Sequence, residues 1–151
     1  MTRRNGFTLI ETLIVIVIVG LLVLIGYPKI SAALVATDVR GARTALINAV
    51  ARARAAAMQG SRVTWLKFEG NRAIILSRPR RVPDGGLSDA DTIGVVLNLG
   101  GYGVTVASDA DSIRFNPGGL GWDIGGGQSI TLSRGDHYDT IEIDGLGRVT
   151  K

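Results

Sequence analysis

The sequence predicts an α+β fold, in which a long N-terminal apolar helix packs on a C-terminal antiparallel β-sandwich. An almost uncharged apolar run occupies residues 7–27, and apolar residues continue at helical spacing to about Gly60. Beyond it, short strand-like runs are separated by turns rich in glycine, aspartate and proline. The predicted segments are a basic head at 1–6, a transmembrane helix at 7–27, its continuation at 28–60 and a β-sandwich domain at 61–151.

The apolar run FTLIETLIVIVIVGLLVLIGY carries one charge, Glu11. A helix of this length rises about 31 Å, at ~1.5 Å per residue, which matches the hydrocarbon core of a bilayer. Arg3 and Arg4 precede the run, so the positive-inside rule predicts a cytoplasmic N-terminus and a C-terminal domain on the other side. A carboxylate at this depth is costly, which makes Glu11 a candidate functional residue.

Two simpler interpretations of the run remain open. A cleaved secretory signal would use the small residues at 31–33 as its cleavage site, but the run is longer than the usual apolar region of a signal peptide and continues into a helical pattern. A plain uncleaved anchor explains the length and the two arginines. It leaves Glu11 unexplained.

The helix is expected to continue beyond Tyr27 to about Gly60, with a bend at Pro28, because proline lacks a backbone donor and clashes with the preceding turn. Gly60 is the predicted left-handed cap. A basic stripe on one side is interpreted as a solvated face, with contact to acidic neighbouring subunits as the alternative. The predicted apolar stripe comprises Ile30, Ala33, Leu34, Thr37, Leu46, Ala49, Ala53 and Ala56, and the basic stripe comprises Arg40, Arg43 and Arg54.

The domain at 61–151 is predicted to be all-β. Gly70 and Asn71 form a two-residue hairpin signal between the runs 62–69 and 72–78. Residues 78–91 are interpreted as an exposed loop. Two antiparallel sheets are expected to pack on each other and on the distal half of the helix. The other predicted strands are 92–99, 103–107, 112–115, 128–134, 140–144 and 147–150.

Composition and spacing argue against an enzyme. The sequence has no cysteine, which excludes disulfides and cysteine-ligated metals. The single histidine, His137, lies close to Ser133, and neighbours in one loop rarely form a catalytic triad, so we interpret this stretch as a turn. The aspartate pairs at 89–91 and 109–111 lack the further ligands of a calcium loop. We therefore predict no catalytic residue, no metal and no cofactor.

The glycine-rich runs at 118–121 and 125–127 lack the helix onto which a phosphate-binding loop opens, and they are interpreted as loops. Trp122 lies between them. A buried aromatic is the favoured role, with an exposed recognition tip as the alternative.

The stretch GFTLIE at residues 6–11, after a short basic leader, resembles the processing site of type IV prepilins and type II secretion pseudopilins. This resemblance implies that a prepilin peptidase removes the leader 1–6 by cutting between Gly6 and Phe7, and methylates the new N-terminus at Phe7. It also implies that the helix 7–27 becomes a filament core. There Glu11 would set the register by meeting the N-terminal ammonium of a neighbouring subunit.

Three later segments, 112–119, 129–133 and 145–149, resemble the ending of the GspH/FimT pseudopilin group. The resemblance implies a pilin-like fold with a two-sheet β-sandwich, in a minor subunit at or near a filament tip. The implied partners are the prepilin peptidase, other pseudopilins or pilins, the inner membrane and an exported protein. The implied location is the bacterial inner membrane, single-pass, with the domain in the periplasm and later in the filament.

The favoured function is that of a minor pseudopilin in type II secretion, and the alternative is a FimT-like minor type IV pilin in pilus assembly or DNA uptake. Some FimT-like pilins bind DNA through a C-terminal G-R-x-R ending, whereas this chain ends GRVTK and lacks the second arginine. The formal charge of +4 belongs to the head and the helix, because residues 61–151 carry 10 basic and 11 acidic residues. DNA is therefore the less favoured partner. The candidate residues for DNA or partner contact are Arg148, Lys151, Arg80 and Arg81.

Overall fold

The computed structural model describes residues 7–80, 86–122 and 127–150. One helix, α1, runs from Leu9 to Gly60 and continues through Pro28. The chain forms two compact units, Met1–Val35 and Ala36–Lys151, so the last part of α1 belongs to the second unit. The bend expected at Pro28 stays a prediction.

The first unit is an apolar helix whose side chains are solvent-exposed. Its large apolar side chains from Leu9 to Ile25 are between 50% and 82% exposed. The Oγ1 atom of Thr8 accepts a hydrogen bond from the backbone N–H of Glu11 at 3.3 Å, and the Thr8 carbonyl accepts from Glu11 and Thr12. Thr8 therefore caps the helix and satisfies one of its free N-terminal donors.

In the second unit, α1 ends in a left-handed turn at Ser61, where φ is 48°. The N–H of Arg62 donates to the carbonyl of Ala57 at 3.2 Å, and the N–H of Ser61 donates to Met58 at 3.3 Å. This pair of bonds is the Schellman pattern. The prediction of Gly60 as the left-handed cap was wrong by one residue, because Gly60 is the last helical residue and Ser61 occupies the position after it.

The larger sheet has six strands in the described part of the chain, all paired antiparallel. The strands are β1 (Thr64–Glu69), β2 (Arg72–Ser77), β3 (Asp91–Thr92), β4 (Leu97–Asn98), β6 (Ser112–Phe115) and β7 (Gly121–Trp122). Their order is β3-β2-β1-β6-β7, and β4 also pairs with β2. The smaller sheet has the order β5-β8-β9 and comprises β5 (Thr105–Ser108), β8 (Gln128–Arg134) and β9 (His137–Ile143).

Several predicted strands match the observed ones. The hairpin at Gly70 and Asn71 is confirmed: Glu69 pairs with Arg72, and Gly70 has a φ of 56°. The predicted run 92–99 is two short strands, β3 and β4, because the chain turns at Gly94, where φ is 77°. The predicted strand 147–150 is reduced to a single bridge between Val149 and Ile143.

One hydrophobic core joins the end of α1 to both sheets. Burial of Leu46, Ala49 and Ala53 is confirmed, whereas Ile30 and Leu34 lie in the first unit and are exposed. Complete burial of an aliphatic side chain contributes about 1.5–3 kcal/mol, so this shared core holds the helix end and the sheets together. The core side chains from the sheets include Leu66, Ala73, Ile75, Ile113, Phe115, Ile130, Leu132, Ile141 and Ile143.

The predicted basic stripe has three different environments. Arg40 is exposed, as expected for a solvated face. The Nε atom of Arg43 lies 3.3 Å from a carboxylate oxygen of Asp139 on β9, and the side chain of Arg54 is half-buried. The acidic neighbour of Arg43 is therefore within its own chain.

Candidate functional site

The residues expected to act in processing lie at the start of the chain. Gly6 falls outside the described residues. Phe7 comes before the first helical residue and is 76% exposed. The candidate cleavage point therefore lies just before the helix, and Phe7, the residue that follows this point, is accessible to solvent.

Glu11 lies in the first turn of α1 and is exposed. The spacing Thr8-x-x-Glu11 is that of a capping box, and the Thr8 half of the box is formed. A carboxylate in this position also interacts favourably with the partial positive charge of the helix N-terminus. The backbone N–H of Glu11 thus takes part in the helix cap, an arrangement that the Thr-x-x-Glu spacing could have revealed from the sequence.

The helix that follows Glu11 is long and apolar enough to cross a membrane, judged by length and composition. None of its most apolar stretch is buried within the protein. A continuous exposed apolar surface of this size is covered in a working protein, by lipid or by other protein. The first unit therefore has the properties of a membrane anchor and of an assembly helix.

A closed turn at the C-terminal end of the chain holds Arg148. The guanidinium of Arg148 donates from Nε to Oδ2 of Asp144 at 2.9 Å, and Nη2 lies 2.8 Å from the same oxygen. The other carboxylate oxygen accepts the backbone N–H groups of Arg148 at 2.8 Å and Leu146 at 3.0 Å. The Asp144 carboxylate thus closes the turn from Asp144 to Arg148.

These bonds favour the charged form of Asp144. The backbone N–H of Arg148 contributes most to lowering the pKa of Asp144, and the Arg148 guanidinium lowers this pKa further. The charge of Arg148 is consequently matched by a carboxylate of its own turn. Its side chain is 60% exposed but is oriented by Asp144.

The turn packs against the β6–β7 region through Gly147. A Cβ atom at Gly147 would lie 2.9 Å from Cε1 of Phe115 and 3.1 Å from the backbone nitrogen of Gly121. A Cβ atom at Gly119 would lie 2.8 Å from the sulfur of Met58 on α1. The segments 112–119 and 145–149, which the sequence singled out separately, therefore meet in one junction.

The other candidate contact residues are not all described. Arg81 and Lys151 fall outside the described residues. Arg80 is exposed, and it lines a groove together with Arg62 and Arg78. The role of Arg148, Lys151, Arg80 and Arg81 in binding DNA or a partner stays a prediction.

Trp122 is 46% exposed, so the prediction that it is a buried aromatic was wrong. It lies on the two-residue strand β7, opposite Arg114 of β6. Phe115, the residue after Arg114 in β6, is fully buried in the core. Because side chains alternate along a strand, Arg114 lies on the opposite face of the sheet. The guanidinium carbon of Arg114 lies 4.4 Å from the centroid of the Trp122 ring, a cation–π geometry.

The buried tryptophan of this face is Trp65, which is 5% exposed. It pairs with Arg114 across β1 and β6. The guanidinium carbons of Arg114 and Arg78 lie 6.0 and 5.9 Å from the centroid of its ring. Long arginine side chains therefore shield Trp65 and leave Trp122 at the edge of the sheet.

The described residues show no arrangement typical of catalysis or metal binding. His137 is the exposed first residue of β9 and pairs with Arg134, while Ser133 pairs with Tyr138. Within the described ranges, no group of three or more His, Cys, Asp or Glu side chains could hold a metal ion. Asp109 instead accepts a hydrogen bond from the backbone of Ser129.

Two family models match the chain. Residues 1–27 match the prokaryotic N-terminal methylation motif, and residues 42–147 match the type II transport protein GspH. No curated protein matches the chain. The GspH match covers the end of α1 and most of the β domain.

Two solved structures of the type IV minor pilin FimU from Pseudomonas aeruginosa strain PAO1 have a similar fold. The structure in space group P21 superimposes with a TM-score of 0.52 at 13% identity, covering 76% of this chain and 87% of that chain. The structure in space group P65 gives a TM-score of 0.55 at 15% identity, covering 74% and 90%. The prediction of a pilin-like α+β fold is confirmed. The chain belongs to the GspH family and is a minor pilin-like subunit that carries the prokaryotic N-terminal methylation motif.

Proposed function

We propose that this chain is a minor pseudopilin of a type II secretion pseudopilus, and that it helps to export folded proteins. The observation that carries this proposal is the match of residues 42–147 to the type II transport protein GspH. The protein acts by assembling into a filament. Its helix joins the filament core, and its β domain contacts neighbouring subunits or cargo.

The anchored precursor is the first state in this proposal. Its N-terminus is cytoplasmic, the helix at 7–27 crosses the inner membrane, and the domain lies in the periplasm. The prepilin peptidase then cuts between Gly6 and Phe7, and Phe7 is methylated. The methylation motif at 1–27 and the exposure of Phe7 support this order.

Glu11 sets the register of the assembled helices. After cleavage, the new ammonium group of Phe7 lies four residues before Glu11. In an apolar bundle of helices, an unpaired carboxylate costs several kcal/mol, so a neighbouring ammonium makes one axial position strongly preferred. Exposure of Glu11 in the first turn of the helix supports an intermolecular partner.

A crosslinking experiment tests the assignment to secretion. Because the sequence has no cysteine, a cysteine replacing Ile16 is the only thiol of the chain. In cells with a complete type II secretion system, it should crosslink to a matched cysteine in the helix of the major pseudopilin, and deletion of the gene should reduce export. Crosslinking to a major type IV pilin, with export unchanged, would contradict the assignment.

Glu11→Gln in this cysteine background tests the register. The variant should insert into the membrane normally but give a much lower crosslinking yield. Glu69→Gln is the matched control, because it makes the same chemical change on an exposed side chain of the β domain. Equal yields for wild type and Glu11→Gln would rule out the register role.

A minor type IV pilin in pilus assembly or DNA uptake is the second candidate. The similarity in fold to FimU, which is named as a type IV minor pilin, favours it. For DNA uptake, Arg148 would need to leave Asp144 or to contact phosphate with its remaining donors. Loss of piliation or transformation on gene deletion, without an export defect, would identify this candidate.

A further inference from the structure

A basic groove lies where the ends of several strands of the larger sheet meet the C-terminal end of α1. Its volume is about 290 Å³. Arg62 comes before β1, Arg78 and Arg80 follow β2, and Pro117 follows β6. The backbone N–H of Arg78 donates to the carbonyl of Val63 at 3.0 Å, which extends the β1–β2 pairing to the groove. We call this feature the arginine groove.

The side chain of Arg62 lines the groove and is held by two backbone carbonyls. Its Nη1 donates to the carbonyl of Arg78 at 3.1 Å, and its Nε donates to the carbonyl of Gly60 at 3.3 Å. The C-terminal end of a helix carries partial negative charge, which opposes a bound anion. Donation by Arg62 to the last helical carbonyl offsets this charge at the groove.

The described lining of the groove carries three arginines and no aspartate or glutamate. Arg78 lies over the ring of Trp65, and Arg80 is exposed. Pro79 and Pro117 add rigid apolar walls without backbone N–H groups, and the exposed side chain of Arg80 lines the groove beside them. The groove therefore has a charge complementary to that of an acidic ligand.

We propose that the arginine groove binds carboxylate side chains of an acidic segment of a partner protein. The planar guanidinium fork matches a carboxylate and can bind it through two parallel hydrogen bonds. A volume of about 290 Å³ lies at the lower limit of small-molecule pockets and fits one or two side chains of a segment that passes over the surface.

Single-stranded nucleic acid fits this groove less well. Such ligands need exposed aromatic rings on which successive bases stack. The described lining contains no aromatic residue, and the nearby Trp65 is only 5% exposed. An acidic protein segment needs no such platform.

This inference rests on the proposed function only in taking the partner to be a protein, and it applies equally to a secretion filament and to a pilus. Binding is measured on the isolated full-length chain, whereas the proposed function is measured by crosslinking and export in cells. Failure of one experiment therefore does not produce failure of the other.

Fluorescence anisotropy of a labelled hexaglutamate peptide tests the proposal, with the full-length chain in detergent micelles at low salt. We expect the peptide to bind, and hexaglutamine not to bind. Arg80→Gln should weaken binding by about fivefold to tenfold, the loss expected for one charge-assisted contact. Arg40→Gln is the matched control, because Arg40 is also exposed but lies on α1, outside the groove; it should leave binding unchanged.

Three results would overturn the proposal: no binding of hexaglutamate by the wild-type chain, equal weakening by Arg80→Gln and Arg40→Gln, or tighter, Arg80-dependent binding of a single-stranded oligonucleotide. Arg80 is chosen because it is exposed, so its replacement should not unfold the domain. An unchanged unfolding midpoint in urea checks this point. Should the midpoint fall, the milder Arg80→Lys variant, which keeps the charge but loses the fork, should still bind more weakly than wild type.

Discussion

Gly147 lies so close to the ring of Phe115 that a Cβ atom on it would be 2.9 Å from the ring carbon Cε1. Phe115 is completely buried. The φ angle of Gly147 is 71°, a backbone conformation that residues other than glycine rarely adopt. Backbone conformation and lack of space thus both require glycine here. The contact joins the C-terminal turn to the core.

Gly147→Ala should lower the free energy of unfolding by about 2–5 kcal/mol. About 1–2 kcal/mol comes from the left-handed backbone, and about 1–3 kcal/mol from overpacking against Phe115. The measurement is urea unfolding of the full-length chain in detergent micelles, followed by tryptophan fluorescence.

Gly135→Ala is the control for this prediction. Gly135 also has a positive φ, 57°, but a Cβ atom there meets nothing within 4 Å. The Gly135→Ala variant should therefore lose only the backbone contribution to the free energy of unfolding, about 1–2 kcal/mol. Equal losses in the two variants would show that the approach of Gly147 to Phe115 has no energetic importance.

Asp144 should make stability depend on acid pH. Its pKa is lower in the folded protein than the ordinary value of 3.8, first because the backbone N–H of Arg148 donates to the carboxylate. A depressed pKa stabilises the fold above the ordinary pKa, and this contribution is lost as the pH falls through the folded value. The unfolding midpoint in urea should therefore decrease as the pH is lowered below about 4.

Asp144→Asn isolates this contribution. The variant should be less stable than wild type at neutral pH, and the difference should shrink as the pH falls through this window. Asp136→Asn, which makes the same chemical change on an exposed side chain of the β8–β9 turn, is the matched control variant. A constant difference between wild type and Asp144→Asn at all pH values would contradict the role of Asp144.

The parts of this fold that the sequence predicts best have strong periodic patterns. The predicted ends of the apolar helix and of strands β6 and β8 agree with the observed ends or lie close to them. The spacing of apolar residues indicates each of these elements, and the flanking turns indicate where it ends. The two-residue strand β7 has no such pattern. A strand partner for Trp122 could therefore not be predicted, although Arg114 of β6 pairs with it and contacts its ring.

The arginine groove and the Asp144 turn could not be predicted for a different reason. Arg62 and Arg80 are 18 positions apart in the chain, and only the β1–β2 hairpin and the end of α1 bring them to one groove. Asp144 and Arg148 are four residues apart, a spacing that usually indicates a pair on a helix. Here the left-handed conformation of Gly147 makes the same spacing close a turn.

Arg134 should contribute more to stability than its ion-pair partner Asp38. The guanidinium of Arg134 bonds to the Asp38 carboxylate on α1, and it also donates to the carbonyl of Tyr102 at 3.0 Å. Both side chains of the ion pair are more than one third exposed, so the pair itself is worth about 0.2–1 kcal/mol. Loss of the donor to Tyr102 adds about 1 kcal/mol or more.

We therefore expect Arg134→Ala to lower the free energy of unfolding by about 1–3 kcal/mol and Asp38→Ala by less than about 1 kcal/mol. Urea unfolding of both variants and of the double variant gives the coupling energy. If Asp38→Ala costs as much as Arg134→Ala, the ion pair rather than the Tyr102 bond is the main contribution.

Trp122 should act in partner contact, whereas Trp65 should act in stability. Trp65→Ala removes a nearly buried ring and should cost about 3–5 kcal/mol. Trp122→Ala removes a ring that is 46% exposed and stacked on Arg114, and should cost about 1 kcal/mol. Tryptophan is one of the residues most enriched among the hot spots of protein interfaces.

A second single cysteine, in place of the exposed Leu120 next to β7, lets crosslinking report on this surface. Trp122→Ala in that background should reduce the yield of crosslinks to neighbouring subunits at least severalfold, while the unfolding midpoint falls much less than in Trp65→Ala. Trp122→Phe keeps an aromatic ring and should retain most of the yield. If Trp122→Ala crosslinks as well as wild type, the ring serves only to stack on Arg114, and the partner surface must lie elsewhere on the β domain.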